Sequence, residues 1–471
     1  MTRTKITTAE KTAGVGVLRD LLDGEVVLPG EPDWDAARQA WNLSADQRPA
    51  AVVFAESPDD IVAVVEYARR RGMRVPTQGT GHFADTLQSF DNTILIRTCR
   101  MRGLEIDAEA QTARAEAGVL WEEVSLAAAG HGLAGLAGSS PDVGVVGYTL
   151  GGGLGWLARR YGLAANSVTA VELVTADGSL VRADRDNEPE LFWAIRGGGG
   201  SFGIVTAMEF SLYPVPEVYA GVLFFPIERA SEVLKAWREW LEDTPNEVTS
   251  VGRLMSFPPI PMVPEPLRGQ SFVLVEATYI GDEADGAALI HPLRELGPAM
   301  DTFATIPVEE LRHLHMDPPT PVPDAGDGMT LVDVTPEAID ALVEVAGAGS
   351  RSPLLSVELR QLGGVLADPS PEHGAVGTLD AGFAMFGVGM ALDPEMKKAV
   401  EAYAATVKAA LAPWAADRGY FNFADRPQDG EGLYPAETYR RLAEIKADVD
   451  PEELFRATHP IRPALEAATS A

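Results

Sequence analysis

The chain has 471 residues, 46% of them hydrophobic, which is enough to bury large cores in two domains, or three at most. Lysine and arginine number 38 against 69 acidic residues, and the resulting net charge of -31 disfavours nucleic acid and anionic membrane as partners. A single cysteine, Cys99, excludes an intramolecular disulfide and a cysteine metal cluster, and no apolar run reaches the roughly 18 residues of a membrane span.

Met1 to Gly14 lacks the apolar core of a signal peptide, so the expectation is a cytoplasmic protein, monomeric or homodimeric. A helix is expected near Val15 to Leu22 and another over Trp34 to Trp41. A strand, Ala51 to Ala55, leads to a helix with Ser57 and Asp60 spaced as a capping box and Pro58 at its first position. Ile61, Val64, Val65 and Ala68 recur on one face, Arg69, Arg70 and Arg71 fill the last turn, and Gly72 stops it. Met73 to Pro76 forms the next strand and runs into the turn Thr77-Gln78-Gly79-Thr80-Gly81-His82. Glycines let backbone N–H groups approach an anion closely, but no third glycine completes a dinucleotide fingerprint here.

Further strands follow at Thr93 to Arg97 and within Ile106 to Gly118, then a helix from Trp121 to His131. Cys99 reads as an inert residue at a buried strand end. The run from Gly135 through Gly155 is too rich in glycine for an ordinary helix or strand, and it suits backbone passing close to something flat or anionic. Val168 to Thr175 and Leu180 to Ala183 make a hairpin with an Asp177-Gly178 corner, and a second glycine cluster, Gly197 to Gly203, precedes a strand ending near Tyr213. From Val215 to Trp414 the clusters stop. Helices at Ala230 to Glu242, Pro336 to Ala346 and Pro394 to Leu411 lie between strands at Ser271 to Ile280, Leu354 to Leu362 and Gly382 to Met390, as in an antiparallel α+β domain. The tail carries a helix from Ala436 to Ala447.

These motifs, in order, resemble the berberine-bridge-enzyme-like FAD oxidoreductases of the vanillyl-alcohol oxidase superfamily. Where the family has Arg-x-Gly-Gly-His, this chain has Gln78 to His82; Pro141 to Gly147 matches Pro-x-Val-Gly-x-x-Gly; Arg160 to Ala164, Leu191 to Ala194 and Phe202 to Thr206 also match. Tyr420-Phe421-Asn422-Phe423 resembles the Tyr-x-Asn-Tyr near the family's end. The resemblance implies an α+β, two-lobed, PCMH-type FAD-binding fold. Residues 1–214 (core about 46–217) make the FAD domain, 215–415 an α/β substrate domain on an antiparallel sheet, and 416–471 a segment returning to the FAD domain. It implies FAD attached covalently to His82 through the 8-methyl group. Ser140 stands where many relatives use a cysteine for a second bond, which places the chain with the single-histidine branch. The implied cofactor-binding residues are Gln78, Gly79, Thr80, Gly81, His82, Phe83, Ser139, Ser140, Val143, Gly144, Gly147, Tyr148, Gly152, Gly153, Gly155, Gly203, Ile204, Val205, Phe421 and Asn422.

The family often ends Tyr-x-Asn-Tyr on a proton-accepting tyrosine; here it is Phe423. Tyr148, Tyr420 and Glu358 are the alternative bases, and Arg360 is the cation that would stabilise a tyrosinate, whose free pKa is about 10. Alternation over Leu354 to Leu362 puts Ser356, Glu358 and Arg360 on one strand face, with Glu276 and Tyr279 as weaker candidates on another strand. His313 and His315 have the wrong spacing for a metal pair, so no metal is expected. The expected activity is oxidation of a small alcohol, amine or ring by hydride transfer to FAD, with molecular oxygen as acceptor. A flavin-dependent oxygenase and a non-catalytic flavin-binding resistance protein are the alternatives.

Overall fold

A computed structural model describes residues 14–87, 90–261 and 263–464; the expectations for residues 1–13 lie outside the described residues. Three sheets organise the chain. The first is five-stranded, in the order Glu25–Val27, Ala51–Phe54, Ile94–Arg97, Val75–Gln78, Phe455–Arg456, and is parallel except at its first strand. The helix Pro58–Arg71 crosses over between its strands, with Gly72 in the left-handed region at φ 61°. Only half of the expected capping box forms. Ser57 Oγ accepts from the Asp60 N–H at 3.2 Å, but the Asp60 carboxylate accepts from the N–H groups of Glu56, Asp23 and Gly24 and so ties down the entry loop.

The second sheet is antiparallel, in the order Leu104–Asp107, Thr112–Glu116, Ile204–Ser211, Val168–Val174, Leu180–Asp184, and contains the expected hairpin. Its far side carries the glycine-rich run. That run holds a short helix, Val145–Leu150, where none was expected. Val145, Val146, Thr149 and Leu150 are buried while Gly147 is exposed, so the glycine serves an open face and not the helix's own stability.

The third sheet is antiparallel and built from eight strands between Glu217 and Met390. Its central run is Ser271–Tyr279, Val248–Ser256, Ser356–Gln361, Phe383–Met390, Asp324–Leu331. One face packs Leu254, Val357, Leu359 and Met385 against Trp237, Leu342, Val400 and Val407 of three covering helices. Alternation sends Arg253, Ser356, Glu358, Arg360 and Phe386 to the other face, toward the first two sheets. Buried Arg159 donates to the carbonyls of Pro245, Val248 and Leu362, joining the glycine-rich side to this sheet.

The tail returns to the first sheet because Lys446 and Asp450 are buried together. Lys446 Nζ donates to Ser201 O at 2.6 Å and to Asp450 at 2.5 Å, and Asp450 accepts from the N–H groups of Leu454 and Phe455. Two expectations need correction. Cys99 is half-buried, not buried. The entry helix stops at Ala37, because the N–H groups of Trp41 and Asn42 bond the carbonyls of Thr80 and Gly81. That exchange brings Trp41 beside the His82 turn.

Candidate active site

A cavity of about 440 Å³ lies between the glycine-rich backbone and the charged face of the eight-stranded sheet. Its backbone wall is formed by Gln78, Gly79, Thr80, Gly81, His82 and Phe83; by Ser139, Ser140, Val143, Gly144, Gly147 and Tyr148; by Gly203, Ile204 and Val205; and by Phe421 and Asn422. Every one of these was nominated from sequence. Gly152, Gly153 and Gly155 were also nominated but lie off the cavity. A Cβ on Gly153 would meet Tyr148 and Ala164, and one on Gly155 would lie 1.9 Å from Ala137 O, so these glycines permit close packing behind the wall.

The wall fits a long, flat, anionic cofactor. A Cβ on Gly147 meets nothing within 4 Å and one on Gly200 only Ala457 at 4.0 Å, so both glycines hold cavity space open. Gln78 Nε2 and Arg456 Nε line the cavity as buried donors without a partner among the described residues. Gly81, at φ 93°, lets the turn pass Ala40 and Gln78 closely, and His82 follows it. The His82 ring stacks on Trp41 at 4.0 Å and 18°, its Nδ1 is 2.8 Å from Thr80 Oγ1, and its Nε2 is 3.1 Å from Asp142 Oδ1.

The opposite wall is a chain of buried charges. Arg253 donates to Ser356 Oγ at 2.7 Å, to Glu276 at 3.1 Å and to His315 O at 2.7 Å. His315 Nδ1 is 2.5 Å from Glu276, its Nε2 is 2.8 Å from Glu358, and Arg360 reaches Glu358 at 3.0 Å. Burial and Arg253 push the His315 imidazole down, but Glu276 and Glu358 outweigh them and raise its pKa to about 9. Burial raises Glu358, yet Arg360 and His315 hold it well below the usual carboxylate range, so it stays ionised. Arg360 Nε faces no partner among the described residues, and its guanidinium lies 5.4 Å from the Phe423 ring centre.

The nominated bases fare unequally. Tyr148 touches the cavity, but its hydroxyl is buried without a partner among the described residues, packed near Gly138 and Gly155, and burial raises its pKa well above normal. Tyr420 does not line the cavity; it borders a separate groove of about 1090 Å³, and burial raises its pKa too. Glu358 is on the wall but engaged by two cations. Tyr279 is only partly buried and packs against the helix-covered core, away from the cavity.

Arg253, His315 and Asp317 were not identified from sequence as site residues. His313 is exposed at the end of the short helix Val308–His313, while His315, beyond that helix, is buried. Met316 between His315 and Asp317 has φ 57°, an uncommon conformation for a non-glycine residue. It turns His315 into the charge chain and leaves Asp317 on the cavity wall, half-buried, with no hydrogen-bond partner among the described residues.

Comparison with known proteins agrees with this architecture. Residues 49–184 match the FAD binding domain model and 419–462 the berberine and berberine-like model. The (R)-6-hydroxynicotine oxidase of Paenarthrobacter nicotinovorans is 27% identical over 461 residues, covering 94% of this chain and 97% of that protein. The crystal structure of 6-hydroxy-D-nicotine oxidase from Arthrobacter nicotinovorans superposes with a TM-score of 0.82 at 26% identity, covering 94% and 98%. BBE-like 1 of Physcomitrella patens shares the fold, with a TM-score of 0.83 at 21% identity over 98% and 100%. The chain therefore carries an FAD-binding domain and a berberine-like segment on a PCMH-type FAD-binding fold, and it is an FAD-linked oxidoreductase similar to these proteins.

Proposed function

We propose that this enzyme oxidises a small organic substrate, an alcohol, amine or ring, with FAD attached covalently to His82 and molecular oxygen as the final acceptor. The observation that carries this reading is the pairing of two walls across one cavity: open glycine backbone with His82 on one side, and a fixed array of charges on the other. Gln78 to Phe83, Ser139, Val143 to Gly147 and Gly203 to Val205 would hold the cofactor, which supplies a two-electron acceptor when bound.

The substrate would lie against the sheet wall, in the lobe formed by residues 215–415. Arg360 presents its free Nε–H to a substrate oxygen, and ionised Glu358 fixes the guanidinium in place. Asp317 is the cavity carboxylate with no hydrogen-bond partner among the described residues, and we assign it as acceptor of the substrate's O–H or N–H proton. Phe386, Val388 and Phe423 on this side and Leu154 on the other add apolar surface that excludes water around that transfer.

A spectrum-monitored anaerobic screen over alcohols, amines and phenolic rings tests the reading. Flavin colour lost with one substrate and restored in air, with hydrogen peroxide formed, is the expected result. An altered oxidised spectrum would point instead to an oxygenase, and no response across the screen to a binding protein.

A further inference from the structure

Asp142 was noted in sequence only as part of a glycine-rich motif, yet it is the most heavily engaged side chain near His82. Its Oδ1 lies 3.1 Å from His82 Nε2 and accepts from Ser140 Oγ at 3.0 Å, and its Oδ2 accepts from Trp41 Nε1 at 2.5 Å. Burial pushes the Asp142 carboxyl up, but the bonds from His82, Trp41 and Ser140 outweigh this and hold it below the usual range. It is therefore an ionised acceptor aimed at one nitrogen of the imidazole.

That geometry selects a tautomer. A neutral imidazole carries one N–H, and a carboxylate 3.1 Å from Nε2 places the proton there. Nδ1 then keeps its lone pair, which accepts from the Thr80 hydroxyl at 2.8 Å. Trp41, stacked at 4.0 Å, fixes the plane of the ring. We propose that Asp142 is the positioning and proton-accepting residue for covalent attachment of FAD, making Nδ1 of His82 the nucleophile. This rests on the proposed His82 linkage and adds the residue that drives it.

A bond forms between Nδ1 and the 8-methyl carbon, one C–H bond of that methyl breaks, and the Nε2–H proton passes to Asp142 as the ring becomes alkylated. The two electrons released are taken by dioxygen, which leaves as hydrogen peroxide with the methyl proton and the imidazole proton. Ser140, which many relatives replace by a second attachment residue, here hydrogen-bonds the base.

The test uses the full chain, as wild type and as Asp142→Asn, Trp41→Phe and His82→Ala. Each is precipitated with acid, and flavin is measured in pellet and supernatant; protein from riboflavin-starved cells is also incubated with FAD and attachment followed in time. The expected result is wild-type flavin in the pellet, and Asp142→Asn attaching FAD at least 10-fold more slowly, with native-bound yellow flavin released into the supernatant. Trp41→Phe should slow attachment by a smaller factor. Asparagine attaching flavin at the wild-type rate overturns the proposal. Should Asp142→Asn fail to fold, nitrogen-15 NMR of flavin-free wild type decides: an Nε2–H tautomer at His82 supports the role, and an Nδ1–H tautomer overturns it. A wild-type pellet without flavin would instead refute the His82 linkage itself, whatever the tautomer.

Discussion

His315 stands between two carboxylates, with Nδ1 2.5 Å from Glu276 and Nε2 2.8 Å from Glu358. The imidazolium is the link that lets two buried glutamates face each other across the strand Val248–Ser256 without repelling each other, and Arg253 and Arg360 close the chain at its ends. The result is a cavity wall whose charges are fixed before any substrate arrives.

The titration of this link sets a pH dependence of stability. The folded pKa of His315, about 9, lies above the ordinary histidine value, so its contribution is complete below pH of about 6.5 and is lost as pH rises toward 9. The contribution is about 1–3 kcal/mol, taking a pKa unit as about 1.4 kcal/mol and discounting for coupling. His315→Gln should be less stable than wild type at pH 6, with the difference shrinking by pH 9.5. Denaturant unfolding at both pH values checks this; a constant difference contradicts it.

The choice of base is tested by substitution. Asp317→Asn should slow anaerobic flavin reduction by about 100- to 10,000-fold, with flavin still attached, while Tyr148→Phe and Tyr420→Phe change it by less than about 10-fold. Glu358→Gln should raise KM more than it lowers kcat, since it loosens Arg360 and touches no reacting atom. Stopped-flow reduction with the substrate found in the screen measures all four, and an unimpaired Asp317→Asn would remove Asp317 from the mechanism.

Gly147 leaves open space on an otherwise buried helix. Gly147→Leu would place a side chain in the cavity while improving helix propensity. The protein should fold yet carry less than about a tenth of the wild-type flavin, since a leucine on this wall and the cofactor cannot share the space. Circular dichroism and the flavin-to-protein absorbance ratio read the two effects separately.

Asp324 and Asp425 are crowded near Asp85 at the edge of the sheet, each with a carboxylate oxygen that has no hydrogen-bond partner among the described residues. Burial first, and neighbouring acids second, raise Asp324 to about 7 and Asp425 well above normal. For a carboxyl with a raised folded pKa, stability falls as pH climbs from about 4 to 7, because the folded state holds the extra proton. Asp324→Asn should therefore raise Tm at pH 8 by a few degrees and leave it nearly unchanged at pH 4.5. Equal shifts at both pH values would show that charge is not the cause.

Much of the cavity's backbone wall was legible through the resemblance its ordered motifs carry, and part of it through local chemistry. Gly79, Gly81 and the glycines around Val143 mark where backbone must come close to a ligand, and period-two alternation set Glu358 and Arg360 on one face. The strands Val248–Ser256 and Asp324–Leu331 were missed; the latter carries two aspartates and two glycines, and its pairing with Phe383–Met390 overrides that local preference. Trp41 and Asp142 reach the His82 turn, and His315 and Asp317 the cavity, from segments far from it in sequence, and only tertiary packing makes neighbours of residues 41, 82 and 142. A tyrosine replaced by Phe423 was visible, but the carboxylate available in its place was not.

The measurement that bears most directly on the account is the mass of the tryptic peptide running from Val75 to Arg97, which contains His82 and no internal lysine or arginine. Released from denatured wild-type protein, it should carry the added mass of FAD and flavin fluorescence, and the His82→Ala peptide should carry neither. An unmodified wild-type peptide, with the flavin free in solution or on another peptide, would contradict the placement of the cofactor at His82.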